Sequence, residues 1–217
     1  MQIKKVVTAF IFFAVCSILA PAYGNCRQDD DDSAAQRCTA MGIEAMKRDN
    51  PDKFRDFQHT LRHIRKVNRK QDTRVSCFVA KALVDHVHWE KYRFSSDEHR
   101  LNFLSVLMGI IRVESAFDPE AVSPKNARGL MQVHWPTWKR CFASPGEAHD
   151  LHKNLLVGTG ILRLCMRQSD NDLRRALYKY LGAKDDRYAD MVISGALAFK
   201  KSVLLNPLKI NIGEEQK

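Results

Sequence analysis

Phe103-Leu104-Ser105-Val106-Leu107-Met108-Gly109-Ile110-Ile111-Arg112-Val113-Glu114-Ser115-Ala116-Phe117-Asp118-Pro119 is the stretch on which the fold turns. It is apolar for about three helical turns, too long and too continuous for an ordinary strand. Ser96 or Asp97 could cap it as a helix over about His99–Ser115. The one acid within that helix, Glu114, then falls on its buried last turn. Burial and the negative end of the helix dipole both disfavour the charged form. Both raise the pKa, which is how a carboxyl becomes a general acid near neutral pH.

Other helices flank this one. Phe54, Phe57, Leu61, Ile64 and Val67 repeat at three- and four-residue spacing within a basic stretch, about Asp52–Arg74. Lys53, Arg55, Arg62, Arg65, Lys66, Arg69 and Lys70 fill much of the other face, read as a solvated basic back, with an anion-holding patch as the sharper alternative. His59 and His63 stand at i, i+4 and are read as surface histidines rather than metal ligands, since no third ligand accompanies them. Helix signals recur at Cys77–Trp89, Leu151–Gln168, Asn171–Leu181 and Arg187–Leu205, the last followed by Pro207. Upstream, Ser33 could cap a helix ended by Asn50-Pro51. No stretch alternates with period two, so any sheet is small and near Ala121–Val133. The expected fold class is all-α, with at most a very small β element and an N-terminal helical extension.

The termini bound the setting. Lys4 and Lys5, the apolar run Val6–Ala20 and the small residues before Asn25 read as a secretory signal peptide over residues 1–24. An uncleaved anchor is the alternative, against which the run is short for a membrane span. Removing residues 1–24 from the 217 leaves 193 residues, one domain's worth, and takes away two lysines, so net charge falls from +10 to +8. Residues 25–75 read as an acidic leader, Asp29–Asp32, plus the basic helical extension, and residues 76–217 as the main domain. A basic exported chain fits anionic wall polymers or lipid surfaces; nucleic acid is the least natural partner. Cys26, Cys38, Cys77, Cys141 and Cys165 remain, an odd number whose pairing is open; Cys26–Cys38 and Cys141–Cys165 are nearest in sequence. No Cys-x-x-Cys or His-Glu-x-x-His occurs, so no metal is expected.

Glu114-Ser115, followed by Ser123 and by Gly129-Leu130-Met131-Gln132, resembles the lytic transglycosylase domain of the goose-lysozyme-like superfamily. The likeness continues through Asn154–Gly158, Ala176-Leu177-Tyr178-Lys179-Tyr180 and Tyr188, and covers about residues 77–205. It implies a lysozyme-like fold and cleavage of the β-1,4 bond between N-acetylmuramic acid and N-acetylglucosamine in peptidoglycan glycan strands. Glu114 would act first as acid and then as base. The muramyl C6 hydroxyl would attack C1 of its own sugar and give a 1,6-anhydro product. That explains how one carboxyl suffices where hydrolysis generally uses two, because the substrate supplies an intramolecular nucleophile.

The resemblance places Ser123, Gln132, His134, Tyr180 and Tyr188 at the substrate or the catalytic carboxyl, with Tyr188 orienting Glu114. No cofactor is implied. Three positions depart from the family. Leu181 stands where Asn usually follows the motif tyrosine, His134 where Met is common, and Asp118 where Asn precedes the proline. A second carboxyl at Asp118 would favour hydrolysis if it reached the site; its other reading is a turn residue. The expected location is the periplasm or the exterior, after cleavage near Gly24. The alternatives are a muramidase acting on the same bond, and a wall-binding component of a secretion, conjugation or phage machine, with an envelope-machinery protein as its further partner.

Overall fold

Prolines and capping side chains divide the N-terminal half into helices. The computed structural model describes residues 40–89 and 92–205. The segment 1–24, the acidic run, Ser33, Cys26, Cys38 and Pro207 lie outside these residues. Helix α1 spans Ala40–Asp49 and α2 Pro51–Val67. Asn50 separates them: Pro51 disfavours helical backbone before it, and the Asn50 side chain accepts from Lys53 N at 2.9 Å to open α2. The basic stretch is broken before Arg74. Helix α2 stops at Val67, and Asp72 accepts from Arg74 N at 2.7 Å to start α3, Thr73–Val87. Helix α4, Asp97–Glu114, is opened by Ser96, whose hydroxyl accepts from His99 N.

The remainder is a short hairpin and three long segments of helix. Strand β1, Ala127–Arg128, pairs antiparallel with β2, Val133–His134, where Ala127 faces His134 and Arg128 faces Val133. A single turn, α5 (Trp135–Trp138), follows; α6 is Leu151–Arg167, α7 Leu173–Leu181 and α8 Asp186–Leu205. The fold class is all-α with one tiny sheet, and that sheet falls where the sequence placed it.

Helix α4 is the axis of the core. Leu104, Leu107, Met108, Ile110 and Ile111 have no exposed surface, and Phe54, Phe57 and Ile64 of α2 join the same cluster. The buried face of α2 is rotated from the expected stripe. Leu61 and Val67 are only partly buried, while Asp56, His59 and Thr60 are buried and His63 is half-buried. The reading of His59 and His63 as surface residues is thereby corrected. The reason lies partly at Asp56, which turns inward to meet His88 Nε2 at 2.8 Å and Arg100 Nε at 3.2 Å. A buried carboxylate needs such partners, and they bind α2 to α3 and α4. Cys141 and Cys165 are not joined by a disulfide, and Cys165 is a buried thiol that desolvation pushes up to about 11.

Helices α4 and α8 cross closely because Gly109 has no side chain. A Cβ there would lie 2.3 Å from the Val192 carbonyl oxygen and 3.2 Å from Ala196 Cβ. Gly195 approaches from the other side, its missing Cβ position 3.5 Å from Gly109 Cα. The substitution Gly109→Ala must push backbone aside, so it is expected to cost about 1–3 kcal/mol in urea unfolding. A stability equal to wild type would mean that the crossing is not tight.

Candidate functional site

Glu114 closes α4, and three side chains and a buried interface fix where its carboxyl sits. The close α4–α8 crossing brings Tyr188, in the first turn of α8, over the end of α4. Tyr188 is 6% exposed, and its hydroxyl donates to Glu114 Oε1 at 2.5 Å. Burial raises the Glu114 carboxyl to about 7, and the Tyr188 hydroxyl opposes that rise by favouring the ionised form. Burial and the neighbouring carboxyl hold the Tyr188 phenol protonated, well above its ordinary range. The pair therefore joins a carboxyl that exchanges its proton near neutrality to a phenol that keeps its own.

Ser115, the next residue, ties the end of α4 to the hairpin. Its hydroxyl donates to Leu130 O at 2.9 Å. The hairpin segment Gly129–Gln132 is in turn held from below by Asn154 of α6, which is fully buried. Asn154 Oδ1 accepts from Met131 N at 2.8 Å, and its Nδ2 donates to Arg128 O at 2.9 Å and Ala148 O at 2.8 Å. Gly129 has φ +72°, and a Cβ there would lie 2.4 Å from Asn154 Nδ2, so both its conformation and its space exclude a side chain. Asn154 was legible as part of a motif; its three bonds were not, because they close over 6 to 26 residues of sequence.

The residues expected at the substrate divide by what their polar atoms do. Gln132, at φ +46°, donates through Nε2 to Ala121 O and Gly129 O, both at 3.0 Å. Its amide nitrogen thus serves the turn. Ser123 Oγ accepts from Ala127 N at 3.0 Å, inside the same loop. The Tyr180 hydroxyl donates to Met131 O at 2.8 Å and pins α7 to the hairpin, so it is satisfied locally. His134 is exposed at the start of α5, with Nδ1 2.8 Å from Thr137 Oγ1. Of the five, only Tyr188 meets Glu114 directly; Gln132 and Tyr180 brace the segment that Ser115 grips.

Asp118 takes the turn role. It is exposed, and its Oδ1 accepts from Glu120 N at 2.9 Å. Leu181 is 40% exposed, an apolar group at the surface of α7. Among the described residues no three His, Cys, Asp or Glu side chains lie together as a metal site would need. Two further residues near Glu114 carried no signal in the sequence. Asn68 Nδ2 donates to Ala116 O at 3.1 Å and Gln71 Nε2 to Phe117 O at 2.7 Å, across more than forty residues of chain.

Residues 95–187 match the family described as Transglycosylase SLT domain, from just before α4 to the residue preceding Tyr188. That family consists of peptidoglycan lytic transglycosylases, lyases that act on glycosidic bonds. No curated protein and no solved structure matches the chain.

Tyr188→Phe removes the donor that favours ionised Glu114 while keeping the ring. The Glu114 carboxyl is then expected to titrate above its present value of about 7. Carbon-13 NMR of labelled glutamate checks this directly, and a downward move would contradict the assigned role of the hydroxyl.

Proposed function

We propose that this chain, whose residues 95–187 match the Transglycosylase SLT domain family, is an exported enzyme that cuts peptidoglycan between N-acetylmuramic acid and N-acetylglucosamine and leaves a 1,6-anhydromuramyl end. The observation that carries this reading is the Glu114–Tyr188 pair. Glu114 is half-buried, is raised to about 7, and receives one hydrogen bond from a hydroxyl that stays protonated. A carboxyl with that pKa is protonated often enough to donate and ionised often enough to accept, which is the requirement for one group that does both.

In the first stage Glu114 gives its proton to the glycosidic oxygen as the C1–O bond breaks. In the second, the resulting carboxylate takes the proton of the muramyl C6 hydroxyl, whose oxygen bonds to C1. Glu114 ends protonated as it began, and no water is consumed. Tyr188 supports both stages. It fixes one carboxyl oxygen, and its hydrogen bond stabilises the carboxylate between proton transfers. The chemistry suits a site with a single carboxyl at the reacting bond. Burial and the Tyr188 hydroxyl account for the shift of Glu114, and Asp118 is spent on a turn.

The substrate is a polyanion through its stem-peptide carboxylates, and α2 presents a complementary surface. Arg62, Arg65, Lys66 and Arg69 line an open groove of about 650 Å³ together with Asn68 and Gln71. Such a surface would concentrate the enzyme on the wall through long-range attraction that salt screens. An envelope-machinery protein remains a further partner of the proposal, and the signal segment is what supports export to the periplasm or beyond.

Two measurements test the reading. Digestion of purified peptidoglycan followed by mass spectrometry is expected to give anhydro-ended muropeptides with wild type and none with Glu114→Gln; reducing ends would instead mean hydrolysis. Stability gives an independent check with a defined sign. A carboxyl raised from 4.5 to about 7 keeps its proton in the folded state after the unfolded chain has released it, so wild type loses stability as pH rises through that window. The neutral amide of the variant does not titrate. Glu114→Gln should therefore unfold later than wild type at pH 8 by on the order of 1–3 kcal/mol, allowing for partial solvent screening, with little difference at pH 4.

A further inference from the structure

The residues after Glu114 adopt a backbone that they would not choose alone. Ala116 has φ +51° and Phe117 φ +67°, two consecutive non-glycine residues in the left-handed region. Each such residue costs about 1–2 kcal/mol, and a pair persists only where its surroundings over-determine it. Within the family-matched segment the anchor is Ser115, bonded to Leu130 O. The carbonyls of the strained pair itself are held from elsewhere, by the connection between α2 and α3.

That connection supplies two bonds. Asn68 caps the end of α2, its N–H donating to Ile64 O, while its side-chain amide donates to Ala116 O at 3.1 Å. Gln71 N donates to Asn68 O, which folds the two side chains onto the same target. The Gln71 amide is oriented at its other end. Ser76, fully buried in α3, donates to Gln71 Oε1 at 3.1 Å, so that Nε2 faces Phe117 O at 2.7 Å. From α2 the His63 ring meets Phe117 edge-on with centroids 6.2 Å apart, and Phe117 has no exposed surface. Asn68, Gln71, Ser76 and His63 all lie before residue 95, where the family match begins.

We infer that Asn68 and Gln71, with Ser76 behind Gln71, are positioning residues: they lock Ala116–Phe117 in the left-handed conformation and so fix the end of α4 that carries Glu114. The inference rests on the assignment of Glu114 as the acid and base. The physical link is short. Ser115 N still donates to Ile111 O, closing the last turn of α4, and Asp118 N donates to Ser115 O. Relaxation of residues 116 and 117 toward ordinary backbone would redirect the chain one residue beyond Glu114 and loosen that turn. The carboxyl would then drift from Tyr188 and gain water. General acid catalysis tolerates little of this, since a displacement of about 1 Å can cost about a hundredfold in rate. The N-terminal extension is thereby part of the catalytic apparatus, although it touches no reacting atom.

The test uses the full mature chain with Asn68→Ala, Gln71→Ala, Ser76→Ala and the Asn68/Gln71 double variant. Circular dichroism establishes that each is folded; the Asn68 side chain is bonded near the surface, so Asn68→Ala serves if the double variant does not fold. On soluble N-acetylmuramyl–N-acetylglucosamine oligomers, the double variant is expected to lose about ten- to a hundredfold in kcat, with KM within about twofold of wild type. Ser76→Ala should fall between wild type and Gln71→Ala. The pH limb that belongs to Glu114 should move toward the ordinary carboxyl range as water enters. Carbon-13 NMR titration of Glu114 reads the same displacement without turnover. Folded variants with unchanged kcat and an unchanged Glu114 titration would overturn the inference, as would a loss confined to KM. If wild type releases no anhydro ends, the assigned reaction fails, and the NMR titration still decides whether the clamp positions Glu114.

Discussion

The contact between Tyr188 and Glu114 depends on how closely two helices pass. Tyr188 stands at the start of α8 and Glu114 at the end of α4, and 74 residues separate them. They meet because Gly109 lets the Val192 carbonyl lie where a Cβ would otherwise be. The crossing is set in the core, away from any polar chemistry, by a residue with no side chain. The proton-exchanging carboxyl is its consequence: the same packing that buries Glu114 and raises it toward neutrality supplies the hydroxyl that holds it.

Around that contact the protein spends its polar side chains on backbone. Asn154 makes three bonds to main-chain groups, two of them in the hairpin, Gln132 makes two through its amide, and Ser115, Tyr180, Asn68 and Gln71 each secure a carbonyl. This pattern follows from the local backbone. Ala116, Phe117, Asn126, Gly129 and Gln132 all have positive φ, so the loops on either side of the carboxyl lack the regular ladders that would satisfy their main-chain groups. Side chains from the α2–α3 connection, α6 and α7 replace those ladders. The loops become rigid from outside, which is what a site that must hold one carboxyl to within about an ångström requires.

Much of this was legible along the chain. The long apolar run named α4 as the buried axis, Ser96 was one of the two residues expected to cap it, and the carboxyl at its terminus was suspect before any partner was known. Glu114-Ser115 and Gly129–Gln132 at their spacing carried the family resemblance, and both lie within the matched residues 95–187. The one misreading has a physical cause. His59 and His63 looked exposed because α2 was assigned a stripe from its apolar residues alone; the buried face also admits Asp56, whose charge is satisfied by His88 and Arg100 from two other helices. Gln132, Ser123 and Tyr180 were placed at the substrate by resemblance; what the sequence did not reveal is that Gln132 Nε2 and the Tyr180 hydroxyl donate to backbone carbonyls and that Ser123 Oγ accepts from a backbone N–H.

Periodicity, capping and spacing act over a few residues, so the sequence by itself determined the helices and the small hairpin and singled out Glu114 as the candidate carboxyl. Only tertiary structure decided what surrounds that carboxyl. The Tyr188 hydroxyl, the Ser115–Leu130 tie and the grip of Asn68 and Gln71 on residues 116 and 117 are bonds between distant segments. A hydrogen-bond donor's type is written in the chain; the acceptor it reaches is chosen by how helices pack.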